Sequence, residues 1–168
     1  MTGFTDLSID LETLGTEPGC VITQIGLAAF NANAFEEGSH NTVSTLIHVH
    51  PQSCIDRGMH VSWSTIAWWL IQEQTPREQM ARSTGLELPD AIVQCTEFIK
   101  SNTGPRVKVW GNGATFDVTL LNDAYLRVPK KVPWEFRDIR DIRTLYGLSP
   151  CNNIQKPLPK IEHDAMYD

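Results

Sequence analysis

The chain has 168 residues, enough for one domain with a real core and too few for two comfortable ones. With 41% apolar and 20% charged residues it has the composition of a soluble globular protein. No apolar run approaches the ~20 residues of a membrane span. The formal charge of −6 argues against a nonspecific nucleic-acid coat, but much less against a small metal-dependent nuclease whose ions offset its carboxylates. The N-terminus has no basic region followed by an apolar stretch, so no secretory signal is expected. Cys20, Cys54, Cys95 and Cys151 are scattered without a C-x-x-C pair, three of them in apolar surroundings. Buried free thiols and a cytoplasmic location follow as expectations.

Residues 6–12 alternate apolar and polar at Leu7, Ile9 and Leu11, which predicts a strand ending at a Gly15 turn. Cys20 to Phe30 reads as a central strand, joined to the first by a hairpin through Pro18 and Gly19. Asn41 to Val49 alternates again and completes an antiparallel meander that Pro51 ends. The period then changes. Ser64 is placed to cap a helix over 65–74, and Thr75-Pro76 to start a second short one. Pro89 to Asn102 carries a 3.6-residue apolar stripe, stopped by Gly104-Pro105. Val107 to Trp110 predicts a strand, Phe116 to Arg127 a helix, Trp134 to Asp138 a further strand, and Asp141 to Tyr146 a short helix. Residues 149–161 read as a Pro- and Asn-rich loop before a helix beginning near Glu162. The order predicts an α/β fold, a mixed sheet of a three-strand antiparallel meander plus parallel strands flanked by helices, the layout of ribonuclease-H-like folds.

Carboxylates stand beside apolar stretches in three distant segments. On a strand, Asp10 and Glu12 share a face, where two like charges need compensation. The first fifty residues contain no Lys or Arg, and a divalent cation is the simplest local remedy. Alone, D-x-E is a weak motif, and a turn cap plus a solvated side chain is the bland alternative. Asp117 follows Gly111-Asn112-Gly113 at the start of a predicted helix, where a carboxylate is favoured by the dipole and capping is the alternative. His163 and Asp168 lie five residues apart on the last predicted helix; a histidine near neutral pKa can accept a proton from water.

Together these segments resemble the DEDD superfamily of 3′–5′ exonucleases, in its histidine-bearing DEDDh branch. The matching runs are Asp10-Leu-Glu12-Thr13-Leu14-Gly15, Asn112-Gly-Ala-Thr-Phe116-Asp117 and His163-Asp-Ala165-Met-Tyr-Asp168. The stretch Thr65-Ile-Ala-Trp68-Trp69-Leu-Ile-Gln72 is further similar to the exodeoxyribonuclease VIII-like and mycobacterial exoribonuclease-like groups of bacteria and phages. The resemblance implies two Mg²⁺ or Mn²⁺ ions held by Asp10, Glu12, Asp117 and Asp168, with His163 taking the proton of the attacking water. Oxygen ligands suit these ions, and the lack of a Cys/His cluster disfavours zinc. The resemblance also implies that Thr13, Leu14, Asn112, Phe116 and Trp69 meet the 3′ end of a single strand; one of the adjacent Trp68 and Trp69 is expected in the core and the other on a cleft. Relatives of this type are often dimers, which implies a homodimer, and nothing suggests a membrane partner. Residues 1–168 are expected to form a single exonuclease domain truncated at its C-terminus, because the family's last helix continues beyond the place of Asp168.

Two other functions compete with a 3′–5′ exonuclease releasing nucleoside 5′-monophosphates. A haloacid-dehalogenase-type phosphatase needs Asp where Glu12 stands. A catalytically weak or inactive nucleic-acid-binding module is opposed by the presence of all five expected catalytic residues. DNA and RNA are not distinguished by any motif.

Overall fold

The alternation of the first segment produces the central strand of the molecule. The computed structural model describes residues 3–34, 41–81, 84–148 and 165. In it β1 (Phe4–Thr13) turns Leu7, Ile9 and Leu11 into the core, and places Ser8, Asp10 and Glu12 on its other face. β2 (Ile22–Phe30) pairs antiparallel with β1, and β3 (Val43–His48) antiparallel with β2. β4 (Thr103–Gly111) joins β1 in parallel, and β5 (Ile139–Asp141) joins β4 in parallel. The sheet order β3-β2-β1-β4-β5 puts β1 in the middle. This is the mixed sheet that the sequence predicts.

Six helices complete the described chain: α1 (Pro51–Ile55), α2 (Trp63–Leu70), α3 (Gln74–Met80), α4 (Leu88–Asn102), α5 (Asp117–Arg127) and α6 (Ile142–Leu148). The stripe of α4 (Leu88, Ile92, Cys95, Ile99) and that of α5 (Val118, Leu121, Tyr125) bury against Leu7, Ile9 and Ile25 in one cluster. Cys20, Cys54 and Cys95 are buried free thiols, as expected. Among the described residues no helix is long and apolar enough to cross a membrane.

Four elements differ from the sequence reading. Pro51 ends the third strand but also opens α1, where its missing N–H costs nothing. α2 starts two residues early, at Trp63, because the Ser64 hydroxyl bonds that of Ser62 at 2.8 Å instead of capping a later turn. β4 begins directly after α4, not at Val107. Gly104 and Pro105 fall in an irregular stretch where the β1–β4 register shifts and Arg106 adopts φ 60°, so the missing proline N–H is absorbed. The strand expected over 134–138 is a loop and a 3-10 turn, Phe136–Asp138, with the strand displaced to β5. The aromatic signal there came from packing: Trp134 stacks edge-on against Tyr125 at 5.7 Å, while Phe136 is exposed beside Arg137. The expected loop 149–161 and the helix from 162 lie outside the described residues, as does Cys151.

Candidate active site

Parallel strands β1, β4 and β5 all end at one edge of the sheet, where open α/β sheets bind ligands. The β1–β4 ladder reaches Ser8↔Trp110; β4 then turns away through residues 112–116 into α5. Gly113 takes φ 106° in that turn, a conformation that favours glycine. Past the ladder's end, the amide of Leu11 lies close enough to the Asp117 carboxylate, at the first turn of α5, to favour its charged form. Asp117 is thus set beside the backbone between Asp10 and Glu12. The Glu12 carbonyl accepts the Thr23 hydroxyl at 3.1 Å, which fixes the strand at that point.

Asp117 is 4% exposed and Glu12 9%. Burial pushes the Asp117 carboxyl up to about 6, against the amides of Asp117 itself and Leu11 and the nearby Arg143. Burial therefore leaves its ionised form short of solvation, a shortfall a divalent cation would make good. The donor set, carboxylates from two elements, suits a hard cation. Among the described residues no three His, Cys, Asp or Glu side chains form a complete metal site. His163 and Asp168 lie outside the described residues, but their neighbour Ala165 does not. Its amide donates to the Gln24 side chain at 3.2 Å, and its carbonyl lies where a Cβ on Gly26 would be. Gly26 pairs with Asp10 across the β1–β2 ladder, and Ala165 and Asp10 line one pocket of about 240 Å³. The absence of a side chain at Gly26 thus seats Ala165 against the strand that carries Asp10.

A cleft of about 410 Å³ opens at the end of β1, lined by Glu12, Thr13, Thr65, Trp68 and Phe116 among others. Thr13 is buried, with its hydroxyl donating to Gly15 O at 2.6 Å and its carbonyl accepting the Trp69 indole N–H at 2.9 Å. Trp69, which also lines this cleft, and Leu14, both expected to meet the 3′ end, have buried side chains. Trp69 is 2% exposed and serves as a brace for Thr13, whereas Trp68, set edge-on to it at 5.1 Å, is 41% exposed. Leu14 is 7% exposed and packs in the core, its amide and carbonyl both engaged by Val21 and Ser62. Asn112 lines a separate groove of about 280 Å³ beneath α6, with Ser8, Trp110 and Tyr146.

Sequence reasoning missed the pair at the end of β5, Asp141 and Arg143. Asp141 accepts the Ala114 amide on one oxygen and the Arg143 amide on the other, both at 2.9 Å, and so clamps α6 to the turn before Asp117. Gly113 was the available signal, a position whose missing side chain leaves room for a neighbour. The basic group at 127–131 is remote from Asp117 at the other end of α5, and Arg127 is engaged by Asp123 at 3.2 Å and Gly58 O at 3.4 Å.

A family model described as 3′-5′ exoribonuclease Rv2179c-like domain matches residues 5–168. No curated protein matches the chain. Similar solved structures are exonucleases I. E. coli exonuclease I with a 5cy-dA13 oligonucleotide is 19% identical with a TM-score of 0.62, over 100% of this chain and 38% of that one. The enzyme from Methylocaldum szegediense is 19% identical with a TM-score of 0.61, over 90% and 31%. A zinc-bound E. coli exonuclease I–single-stranded DNA complex is 19% identical with a TM-score of 0.59, over 94% and 32%. The chain spans about a third of the length of these neighbours. The likeness establishes a shared ribonuclease-H-like fold.

Proposed function

The chain belongs to the Rv2179c-like 3′–5′ exoribonuclease domain family, and from that premise we propose that it is a single-domain, metal-dependent 3′–5′ exonuclease releasing nucleoside 5′-monophosphates from single-stranded nucleic acid or frayed ends. The observation that carries this reading is the buried Asp117 carboxylate beside the Leu11 backbone, between Asp10 and Glu12.

Asp10, Glu12, Asp117 and Asp168 are the residues that would hold two Mg²⁺ or Mn²⁺ ions. Such ions, when bound, stabilise charge on the attacking and leaving oxygens and acidify the attacking water. Within that setting His163 takes the proton of the water, a role suited to an imidazole near neutral pH. The Thr13 backbone, braced by Trp69, and the half-buried Phe116 ring hold the terminal nucleotide in the 410 Å³ cleft. Trp68 offers a stacking face to a base, an interaction worth roughly 1–3 kcal/mol. Single-stranded DNA and zinc appear with the structural neighbours, RNA with the family; the shared substrate is a single strand with a free 3′ end. The exposed Trp63, Leu70 and Ile71 around α2 suit a homodimer, and buried free thiols suit a cytoplasmic location.

The test uses matched RNA and DNA single strands, labelled at the 3′ or the 5′ end, with Mg²⁺, Mn²⁺ or EDTA. Mononucleotides should leave from the 3′ end, and EDTA or Asp10→Ala should stop their release. Release from the 5′ end, internal cuts, or metal-independent binding without cleavage would overturn the proposal, the last favouring a noncatalytic module.

A further inference from the structure

The guanidinium of Arg143 lies flat against the turn that leads to Asp117. Its Nη1, Cζ and Nη2 atoms are 2.8, 3.0 and 3.2 Å from the place a Cβ on Gly113 would occupy. Its root is fixed, since its own amide donates to Asp141 and Asp141 in turn holds Ala114. Its head is exposed: among the described residues the guanidinium makes no hydrogen bond or ion pair, though it lies near enough to Asp141 to act on it electrostatically. This arginine is docked on a glycine, close enough to both Asp117 and Asp141 to act on them electrostatically, and among the described residues its planar fork of donors makes no hydrogen bond.

Its position along the sheet edge sets it beside the other parts of the site. The cleft for the terminal nucleotide opens at the end of β1, Asp117 follows β4, and Arg143 follows β5, so the three stand in lateral order. Strands are spaced ~4.8 Å apart, which puts the end of β5 about 10 Å from that of β1. On the exonuclease reading above, from which this inference starts, a strand with its 3′ nucleotide in the cleft runs past Asp117 toward Arg143.

We propose that Arg143 is a substrate-binding residue that takes the phosphate joining the second and third nucleotides from the 3′ end, one phosphate upstream of the bond that is cut. The contact is a charge-assisted fork on a phosphodiester. It makes the domain prefer substrates that carry this phosphate over a bare dinucleotide.

The test compares wild type with Arg143→Gln and Arg143→Lys on three substrates: a dinucleotide with a 5′-hydroxyl, the same dinucleotide with a 5′-phosphate, and a trinucleotide. The 5′-hydroxyl dinucleotide lacks the phosphate in question. Arg143→Gln should raise KM about tenfold on the other two and less than twofold on it, with Arg143→Lys in between. It should also reduce the slope of log affinity against log salt by about 0.7 on the trinucleotide. Equal losses on all three substrates mean that Arg143 only supports Asp117 and its turn, and overturn the proposal; so does no loss on any. Binding of the same three ligands in Ca²⁺ is measured alongside. If wild type cleaves none of them, the exonuclease reading fails, while the binding contrast still decides the role of Arg143.

Discussion

Replacing Asp117 by Asn should make the metal-free protein more stable at neutral pH. In the unfolded chain this carboxyl titrates near 3.8; in the fold burial raises it to about 6. The folded state therefore binds the proton more tightly than the unfolded state. Below pH 3.8 the two bind it alike and nothing is lost. As pH rises through the window from 3.8 to 6 the unfolded chain releases the proton first, and stability falls. The loss reaches about 3 kcal/mol above pH 6 and is roughly half complete at pH 5. Asn has the same shape, carries no charge and keeps an oxygen for the Leu11 amide. Urea unfolding in EDTA should show Asp117→Asn more stable than the parent by up to ~3 kcal/mol at pH 7.5 and by about half that at pH 5. Adding Mg²⁺ should close most of that gap, since a ligand at a hundred times its Kd stabilises the parent by ~2.7 kcal/mol. A less stable Asn variant at pH 7.5, or a difference that ignores pH, would refute the argument that Asp117 is a carboxylate strained by burial.

Other outcomes follow from the same geometry. Gly26→Ala places a methyl group on the Ala165 carbonyl and should lower turnover at least tenfold, while circular dichroism and cooperative unfolding show the sheet intact. Trp68→Ala should raise KM about tenfold or more on single strands by removing a stacking face, read from initial rates. Trp69→Phe keeps an aromatic ring but loses the fused pyrrole and its bond to Thr13, and should cost at least about 1 kcal/mol in denaturant along with a raised KM. Glu12→Gln should abolish hydrolysis in Mg²⁺ and in Mn²⁺ while strand binding, measured by fluorescence anisotropy in Ca²⁺, persists.

Much of this architecture was legible in the sequence where one physical cause dominates. The period-2 alternation at Leu7, Ile9 and Leu11 located β1 and placed Asp10 and Glu12 on one face. The α4 stripe and the start of α5 were found within a residue. Reading failed where one residue type has two uses. Pro51 is both a strand stop and a helix start, and the aromatic run at Trp134 reflects loop packing on Tyr125. Adjacent tryptophans gave no sign of which would turn inward; that was decided by a single indole bond to the Thr13 carbonyl across 56 positions. Asp141 and Arg143 were invisible because their meaning is tertiary: one clamps a turn from another strand, and the other fits over a glycine thirty positions earlier.

The most direct test of a two-metal carboxylate centre is anomalous diffraction from crystals soaked with Mn²⁺ and a nucleoside 5′-monophosphate. Two peaks ~3.5–4 Å apart, bounded by Asp10, Glu12, Asp117 and Asp168 with the nucleotide phosphate between them, are the predicted result. Peaks elsewhere, or none at these carboxylates while the nucleotide is bound, would contradict it.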